Sequence, residues 1–424
     1  MPQAIALIDG NNFYAACEKS LEPALIGRPL VVLSNNDGCI VARSAEARAL
    51  GIAMGTPYFK ARPELERHGV VVRSSNYALY GDMSQRLMSL LELHCDELEI
   101  YSIDEAFARI TRPADGDLRG WASGLRALVR RDLGLPIAIG IGASKAQAKL
   151  ANRLAKSSPA HAGMFDLGRC DDPDLWLERI AIEDVWGIGR RLSRWCRLRG
   201  IRTARQLRDM PSGELRARCG VVGLRLQREL HGHACLPMDL APSPKRETCV
   251  SRSFSRPITR AAELREAVAT YVSRAAEKLR RQRQRAGALT VFARTSPFAP
   301  GFYSNAASAR LDLPSNDTAV LLAAALPLAD RLFRPHRRLA KAGVLMQQLQ
   351  GSDQLQQHLF ASLPPAEQQR RERLMATIDR LNHRYGRGTV AWAACGLQPG
   401  WAMRRQCLSR AATTRLADVP LVRA

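Results

Sequence analysis

No stretch of this 424-residue chain is apolar for long enough to cross a bilayer. The longest run, Ala319 to Ala329, is broken by Pro327 and falls well short of the roughly 20 residues that a spanning helix needs. The ten cysteines are scattered, with no Cys-x-x-Cys pair among them, so reduced thiols in a cytosolic protein are the expectation. The amino terminus enters a strand at once, without a basic region leading into an apolar core, and a secretory signal is not expected. There is no internal repeat. Acidic charge is scarce: 40 Asp and Glu face 63 Lys and Arg, a net charge of +23 and a pI near 10.4. An acidic polymer or anionic surface is the partner such a balance suggests.

The charge is also unevenly placed. Residues 1–110 carry a net −4, which leaves +27 for the remainder. Between Trp186 and Arg260, seventeen basic residues meet five acidic ones. This asymmetry predicts chemistry in an acidic part and polyanion grip in a basic part. A chain that simply solvates its helices with arginine would explain the arginine content but not the asymmetry. At this length, two to four domains are expected.

Residues 4–8 and Pro29 to Leu33 read as short buried strands, the second followed by the turn signal Ser34-Asn35-Asn36-Asp37-Gly38. Helical spacing over Ser84 to Leu93, strand over Glu99 to Ile103, helix over Trp121 to Leu133, strand over Ile137 to Ile141 and helix over Ser144 to Lys156 predict an interleaved α/β or α+β layer. Short arginine-rich helices follow to about His233, then a proline-containing linker. A third unit has strands near Val250 to Phe254, Ala288 to Thr295, Ala309 to Leu313 and Ala342 to Gln348, with helices between them. Beyond Gly351 the polar, glutamine-rich composition reads as a tail.

Two of the apolar strands end on acids: Ala4-Ile5-Ala6-Leu7-Ile8-Asp9 and Glu99-Ile100-Tyr101-Ser102-Ile103-Asp104-Glu105. Were Asp9, Asp104 and Glu105 to converge, each like-charge pair at ~5 Å and an effective dielectric near 20 would cost on the order of 3 kcal/mol. Divalent cations reverse that sign, and hard oxygen ligands suit Mg²⁺ beside substrate phosphates. An aspartate at a strand end is also a common turn or N-cap residue. One acidic end alone would favour that plainer reading, and two favour metal.

The run Gly140 to Ala151 passes from strand through glycines into a helix bearing Lys145 and Lys149, where free N–H groups can meet an anion and Lys149 a triphosphate. It lacks the Gly-Lys-Ser/Thr ending of a Walker A loop. Asp184-Val185-Trp186-Gly187-Ile188-Gly189-Arg190-Arg191 resembles a helix-hairpin-helix, whose bare N–H groups contact phosphates without reading bases. A tight helix–helix turn is the simpler alternative.

With these motifs in this order, the chain resembles the Y-family translesion DNA polymerases, and among them the bacterial UmuC-type catalytic subunits, over essentially its whole length. The carrying motifs are Asp9 to Tyr14, Val31 to Cys39, Tyr101 to Phe107, Asp184 to Arg191 and Lys341-Ala342-Gly343-Val344. The resemblance implies a multidomain α+β right hand. Its parts would be a ferredoxin-like palm (1–13 and 78–168), fingers (14–77), a helix-hairpin-helix thumb (169–235), a linker (236–248), an α/β little finger (249–350) and a C-terminal tail (351–424).

The resemblance further implies two Mg²⁺ ions on Asp9, Asp104 and Glu105, Tyr14 as the steric gate beside Phe13, and Arg43, Arg48 and Lys149 on the triphosphate. Gly38, Cys39 and Ile40 would roof the nascent base pair. Gly187, Gly189, Arg190, Arg191 and Arg252 would hold primer-template DNA. Gln356, Leu359 and Phe360 resemble a sliding-clamp peptide. A UmuD-type accessory protein and a RecA-type recombinase filament are the further partners implied, with a cytoplasmic, nucleoid-associated location and no membrane. Two departures stand out: Ala45 where some members carry a triphosphate-contacting tyrosine, and Arg410-Ala411-Ala412 in place of a Ser-Pro-x-Tyr-like stretch. The expected reaction is template-directed addition of dNTPs in the SOS response. A non-catalytic DNA scaffold would have lost a carboxylate or the lysine, and neither is lost. A nucleotide cyclase would have no need of the hairpin or the basic body.

Overall fold

The computed structural model describes residues 3–241, 243–352, 364–397 and 399–420. They fall into two compact units, Met1–Pro242 with Gln406–Ala424, and Ser243–Arg405.

The first unit is built around strand β1 (Gln3–Gly10). A small three-stranded sheet comes next in the chain: β2 (Leu30–Leu33), β3 (Ile40–Arg43) and β4 (Val71–Ser74), in the order β3-β2-β4. Then β5 (Glu97–Ile100), β6 (Glu105–Thr111), β7 (Ile137–Gly142) and β8 (Met164–Asp166) join β1 in a five-stranded sheet ordered β5-β6-β1-β7-β8. The apolar run Ala4 to Ile8 is thus a central strand, covered on both faces. Ala4, Ala6 and Ile8 pack under helices Phe13–Leu21, Tyr77–Glu92 and Arg119–Leu133, while Ile5 and Leu7 share the opposite face with Phe107 and Ala148. A strand with two buried faces reads as continuously apolar rather than alternating.

Helix Lys145–Ser157 lies over that second face, and Gly140 is what lets it approach. A Cβ on Gly140 would stand 1.9 Å from the Asn152 nitrogen. Asn152 Nδ2 in turn donates to the carbonyls of Leu7 (3.2 Å) and Ala138 (2.9 Å), tying helix to sheet. The glycine read as part of a phosphate loop therefore serves helix–strand packing. Four helices follow, the short Pro173–Glu178, Arg190–Arg197 and Ala204–Asp209 and the longer Ser212–Leu230.

The second unit has the strands β9 (Thr248–Ile258), β10 (Gln284–Thr295), β11 (Ser304–Ser315) and β12 (Leu339–Gly351), all antiparallel and ordered β11-β10-β12-β9. Helices Ala261–Arg281 and Thr318–Leu332 bury one face. The strands are longer than their apolar cores suggested, because alternate positions on the other face are polar.

The segment expected to be a tail is folded in its described parts. Helix Pro365–Arg384 joins the second unit through a two-pronged pair between Arg280 and Asp379 (2.7 and 2.8 Å) and through Arg285 to Glu372 (2.8 Å). Trp401 is buried against Phe254 and Tyr271, with ring centroids at 6.0 and 5.9 Å. Polar composition concealed these contacts because each rests on a few long-range partners rather than on a continuous apolar face. No helix among the described residues is long and apolar enough to cross a membrane.

Candidate active site

The acidic ends of three neighbouring strands meet one lysine-bearing helix. In the register of β1 and β6, Asp9 stands directly opposite Glu105 and Leu7 opposite Phe107. Side chains alternate across a strand, so Asp9 and Glu105 share the face covered by helix Lys145–Ser157. Lys145 pairs with Glu99 at the end of β5, Lys149 with Glu105 (2.9 Å) on β6, and Lys156 with Asp9 on β1. The spacings i, i+4 and i+11 place all three lysines on one helix stripe.

Asp104 belongs to the turn between β5 and β6. Its carbonyl accepts from Gly10 N–H at 2.8 Å, and Ser102 Oγ donates to its carboxylate at 2.8 Å. Ser102 Oγ also accepts from the backbone N–H groups of Asp104 and Glu105. Gly10 leaves little room here: a Cβ would meet Phe13 Cδ2 at 3.0 Å, with the Asp104 Cβ and carbonyl oxygen at an ordinary 3.6 Å.

Burial drives the electrostatics. It raises Asp9 to about 7 against the pull of Lys156, with the neighbouring Glu105 carboxylate adding to the rise. For Glu105, burial acts upward too, but the hydrogen bonds to Lys149 and Asp9 outweigh it and hold it below its usual value. Asp9 and Glu105 are close enough to hydrogen-bond each other. Among the described residues no three His, Cys, Asp or Glu side chains are grouped as a ready ligand set. Lysines occupy two of the carboxylates, and Ser102 turns the third. The donor set nonetheless fits a divalent cation: it is all carboxylate oxygen, and its two lysine-paired members, both partly buried, now rely on ammonium groups for the positive charge a metal would supply.

Beside the carboxylates is an aromatic stack. Asn11 N–H donates to the Pro136 carbonyl (2.8 Å), and Asn12, at φ 50°, starts helix Phe13–Leu21. Tyr14 is half-buried, stacked on Tyr80 at 4.3 Å with rings 13° from parallel, and edge-on to Tyr77 at 6.2 Å. Burial, then Tyr77 and the Asp104 carboxylate, pushes the Tyr14 phenol up. Phe13 is buried in the core beneath the sheet and does not present its ring to a ligand.

Other expected residues fall in different places. Arg43 is spent on the Ile52 carbonyl, whereas Arg48 is exposed. Gly38 and Cys39 are partly exposed, but the Ile40 side chain is fully buried in the core of its own small sheet. Lys149 is enclosed by the Tyr101, Phe107 and Trp186 rings, at 4.3, 5.6 and 5.8 Å, as well as by Glu105. The helix start expected to meet an anion already has one. Glu229 accepts from Ala146 N–H (3.0 Å), and Ser144 Oγ donates to the Glu229 carbonyl (2.6 Å).

Gly187, at φ 89°, and Gly189, the cap of helix Arg190–Arg197, are exposed together with Arg190 and Arg191. In the second unit Arg252 stands on the helix side of the sheet near Tyr271 and Lys278. The residues facing away from those helices are Thr290, Phe292 and Arg294 on β10, with Lys341 opposite Arg294 on β12. Gln356, Leu359 and Phe360 lie outside the described residues. Lys156, Tyr80 and Lys341 as a pair-mate of Arg294 were missed. The repeat of Lys145 and Lys149 extended along the helix would have found Lys156, while the other two depend on cross-strand and helix–helix register.

Residues 8–153 match the impB/mucB/samB family and residues 245–359 its C-terminal domain, and residues 372–422 match a domain of unknown function. The chain is 42% identical over 418 residues to protein UmuC of Salmonella typhimurium, covering 98% of this chain and 99% of the relative. It is 41% identical over 421 residues to protein SamB of the same organism, covering 98% of each. A solved Y-family DNA polymerase chimera built on Dbh has the same fold, with a TM-score of 0.64 at 20% identity over 82% of this chain and 99% of the other.

Proposed function

The chain belongs to the UmuC-type impB/mucB/samB family of Y-family DNA polymerases and is an error-prone translesion DNA polymerase, and from that premise we propose how its residues divide the work. Polymerases of this family are metal-dependent nucleotidyltransferases. Asp9, Asp104 and Glu105 would hold the metal, which the oxygen-only donor set suits to Mg²⁺. Bound there as a pair of ions, it would supply a lowered pKa for the primer 3′-hydroxyl and positive charge for the departing pyrophosphate.

The protein's own groups position and exclude. Lys156, half-exposed beside Asp9, meets the triphosphate together with Arg48, while Lys149 positions Glu105. Tyr14 closes the pocket against a ribose 2′-hydroxyl, held flat by the ring of Tyr80. Gly38 and Cys39 roof the nascent base pair with small groups that leave room for a damaged template. The exposed N–H groups around Gly187 and Gly189, with Arg190 and Arg191, take the DNA backbone, and Arg294 and Lys341 take more of it. In this reading the palm, fingers and thumb divide the first unit as the sequence suggested, and Ser243–Arg405 contains the little finger. The UmuD-type protein, the sliding clamp through Gln356, Leu359 and Phe360, and the RecA-type filament are its partners in a cytoplasmic, nucleoid-associated setting.

The observation that carries the chemistry is the placement of Asp9 opposite Glu105 with Gly10 bonded to Asp104. Primer extension past an abasic site with Mg²⁺ tests it. Asp104→Ala is expected to abolish extension while DNA binding persists, and activity surviving that substitution would refute the assignment.

A further inference from the structure

Residues 406–410 belong to the first unit and hydrogen-bond there with Asp37, Ser74, Asn76 and Glu18. Ser74 and Cys407 exchange hydrogen bonds, Ser74 N–H to the Cys407 carbonyl (2.9 Å) and Cys407 N–H to Ser74 Oγ (3.0 Å). Gln406 N–H donates to Asp37 Oδ2 (2.9 Å), and Ser74 Oγ donates to Asp37 Oδ1 (2.6 Å). Asp37 and its neighbour Asn36 have φ of 51° and 61°, the left-handed turn conformation that Asn and Asp adopt more readily than other side-chain-bearing residues. They immediately precede Gly38 and Cys39.

Two residues further on, Ser409 Oγ accepts from Asn76 Nδ2 (3.0 Å) and donates to Glu18 Oε1 (3.2 Å). Asn76 caps helix Tyr77–Glu92 by accepting from Leu79 N–H. Glu18 Oε1 also accepts from the Tyr80 hydroxyl at 2.7 Å. Glu18 and Tyr80 are both buried, at 2% and 0% exposed, so water does not replace a lost partner. Tyr80 is the ring on which Tyr14 stacks.

From these contacts we infer that residues 406–410 form a strap that sets the nucleotide pocket, with Ser409 as a positioning residue for sugar discrimination. It acts through Glu18 and Tyr80 on Tyr14, and through Asp37 on the turn before Gly38. The inference rests on the reading of Tyr14 as the sugar gate. A hydroxyl that both receives and donates specifies where the Glu18 carboxylate sits, and Glu18 specifies the tilt of the Tyr80 ring. A gate that works by contact loses selectivity when its backing ring can shift by a fraction of an ångström.

The test is single-nucleotide extension by the full chain, with kcat/KM for a ribonucleotide and for its deoxy counterpart. Ser409→Ala is expected to raise the ribo-to-deoxy ratio about 3- to 10-fold, the range for one net hydrogen bond. Ser409→Thr, which keeps the hydroxyl, restores it. Gln406→Pro, which removes the N–H to Asp37, raises misinsertion of wrong bases. In a Tyr14→Ala background the Ser409→Ala effect on the ratio vanishes, because both act on one device. The inference is overturned if Tyr14→Ala raises the ratio while Ser409→Ala leaves it unchanged or slows both sugars equally. If Tyr14→Ala itself leaves the ratio unchanged, the gate reading falls and the strap with it.

Discussion

Lys156 sits on the carboxylate of Asp9, two helical turns beyond Lys149, which sits on Glu105. Two ammonium groups thus occupy the positions next to the carboxylates expected to hold metal, but they are not equivalent. Lys156 has a third of its side chain exposed, whereas Lys149 has 15% and lies among aromatic rings. Only the first is free to change partners.

Lys156→Ala should therefore raise KM for the incoming nucleotide roughly 10- to 100-fold, the scale of one charge-assisted hydrogen bond, with DNA affinity little changed. Lys149→Met should leave KM nearly unaltered and lower stability in EDTA by about 1–3 kcal/mol, since Glu105 is left without its partner. Adding Mg²⁺ should narrow that gap. Nucleotide titrations and chemical denaturation with and without EDTA distinguish the two lysines.

Gly10→Ala presses a methyl group against Phe13 Cδ2 at 3.0 Å, with Asp104 at 3.6 Å in ordinary contact. Overpacking of this kind costs about 1–3 kcal/mol, and the part of the resulting shift that the Gly10 N–H bond passes to the Asp104 carbonyl slows the reaction. Thermal denaturation should show a folded protein, and single-turnover extension a slow one.

Glu229 is fully buried and accepts from the N–H groups of Ala146, Cys235 and Leu236. Glu229→Ala strands three donors and should destabilise by on the order of 3 kcal/mol or more. Nucleotide KM should not fall. A fall would mean that the vacated helix start binds the triphosphate after all.

For DNA, Arg294→Ser with Lys341→Ser should reduce the slope of log K against log salt by about 0.9 for each phosphate that the protein no longer neutralises. Arg252→Ala, on the helix side of the same sheet, should leave the slope unchanged. Binding titrations over a range of salt concentrations would decide between the two faces.

Much of this was legible in the chain because it is local. The run Ala4 to Ile8 leading to Asp9 and the Gly187-Ile188-Gly189 turn each occupy a few consecutive residues, whereas the strand expected over Glu99 to Ile103 stops at Ile100, so that Asp104 lies in the turn and Glu105 opens β6. Register decided the rest. Phe13 and Ile40 were expected beside substrate, yet each turns inward: one helix start or one strand position fixes a side chain's direction, and periodicity leaves that phase open. Which side of its sheet Arg252 occupies was likewise open in the sequence, since a shift of one residue exchanges the faces of a strand, and the register sets it opposite Ala342 on the helix side.

The sequence by itself determined the acidic strand ends, the basic body and the order of motifs, all properties carried by neighbouring residues. Only the tertiary structure decided which lysine meets which acid, because that depends on where a helix crosses a sheet. It also decided that Ser409, 391 residues from Glu18, reaches a carboxylate behind Tyr80. Contacts at such separation leave no periodic trace, because their partners are chosen by the packing of the whole unit rather than by the chain around them.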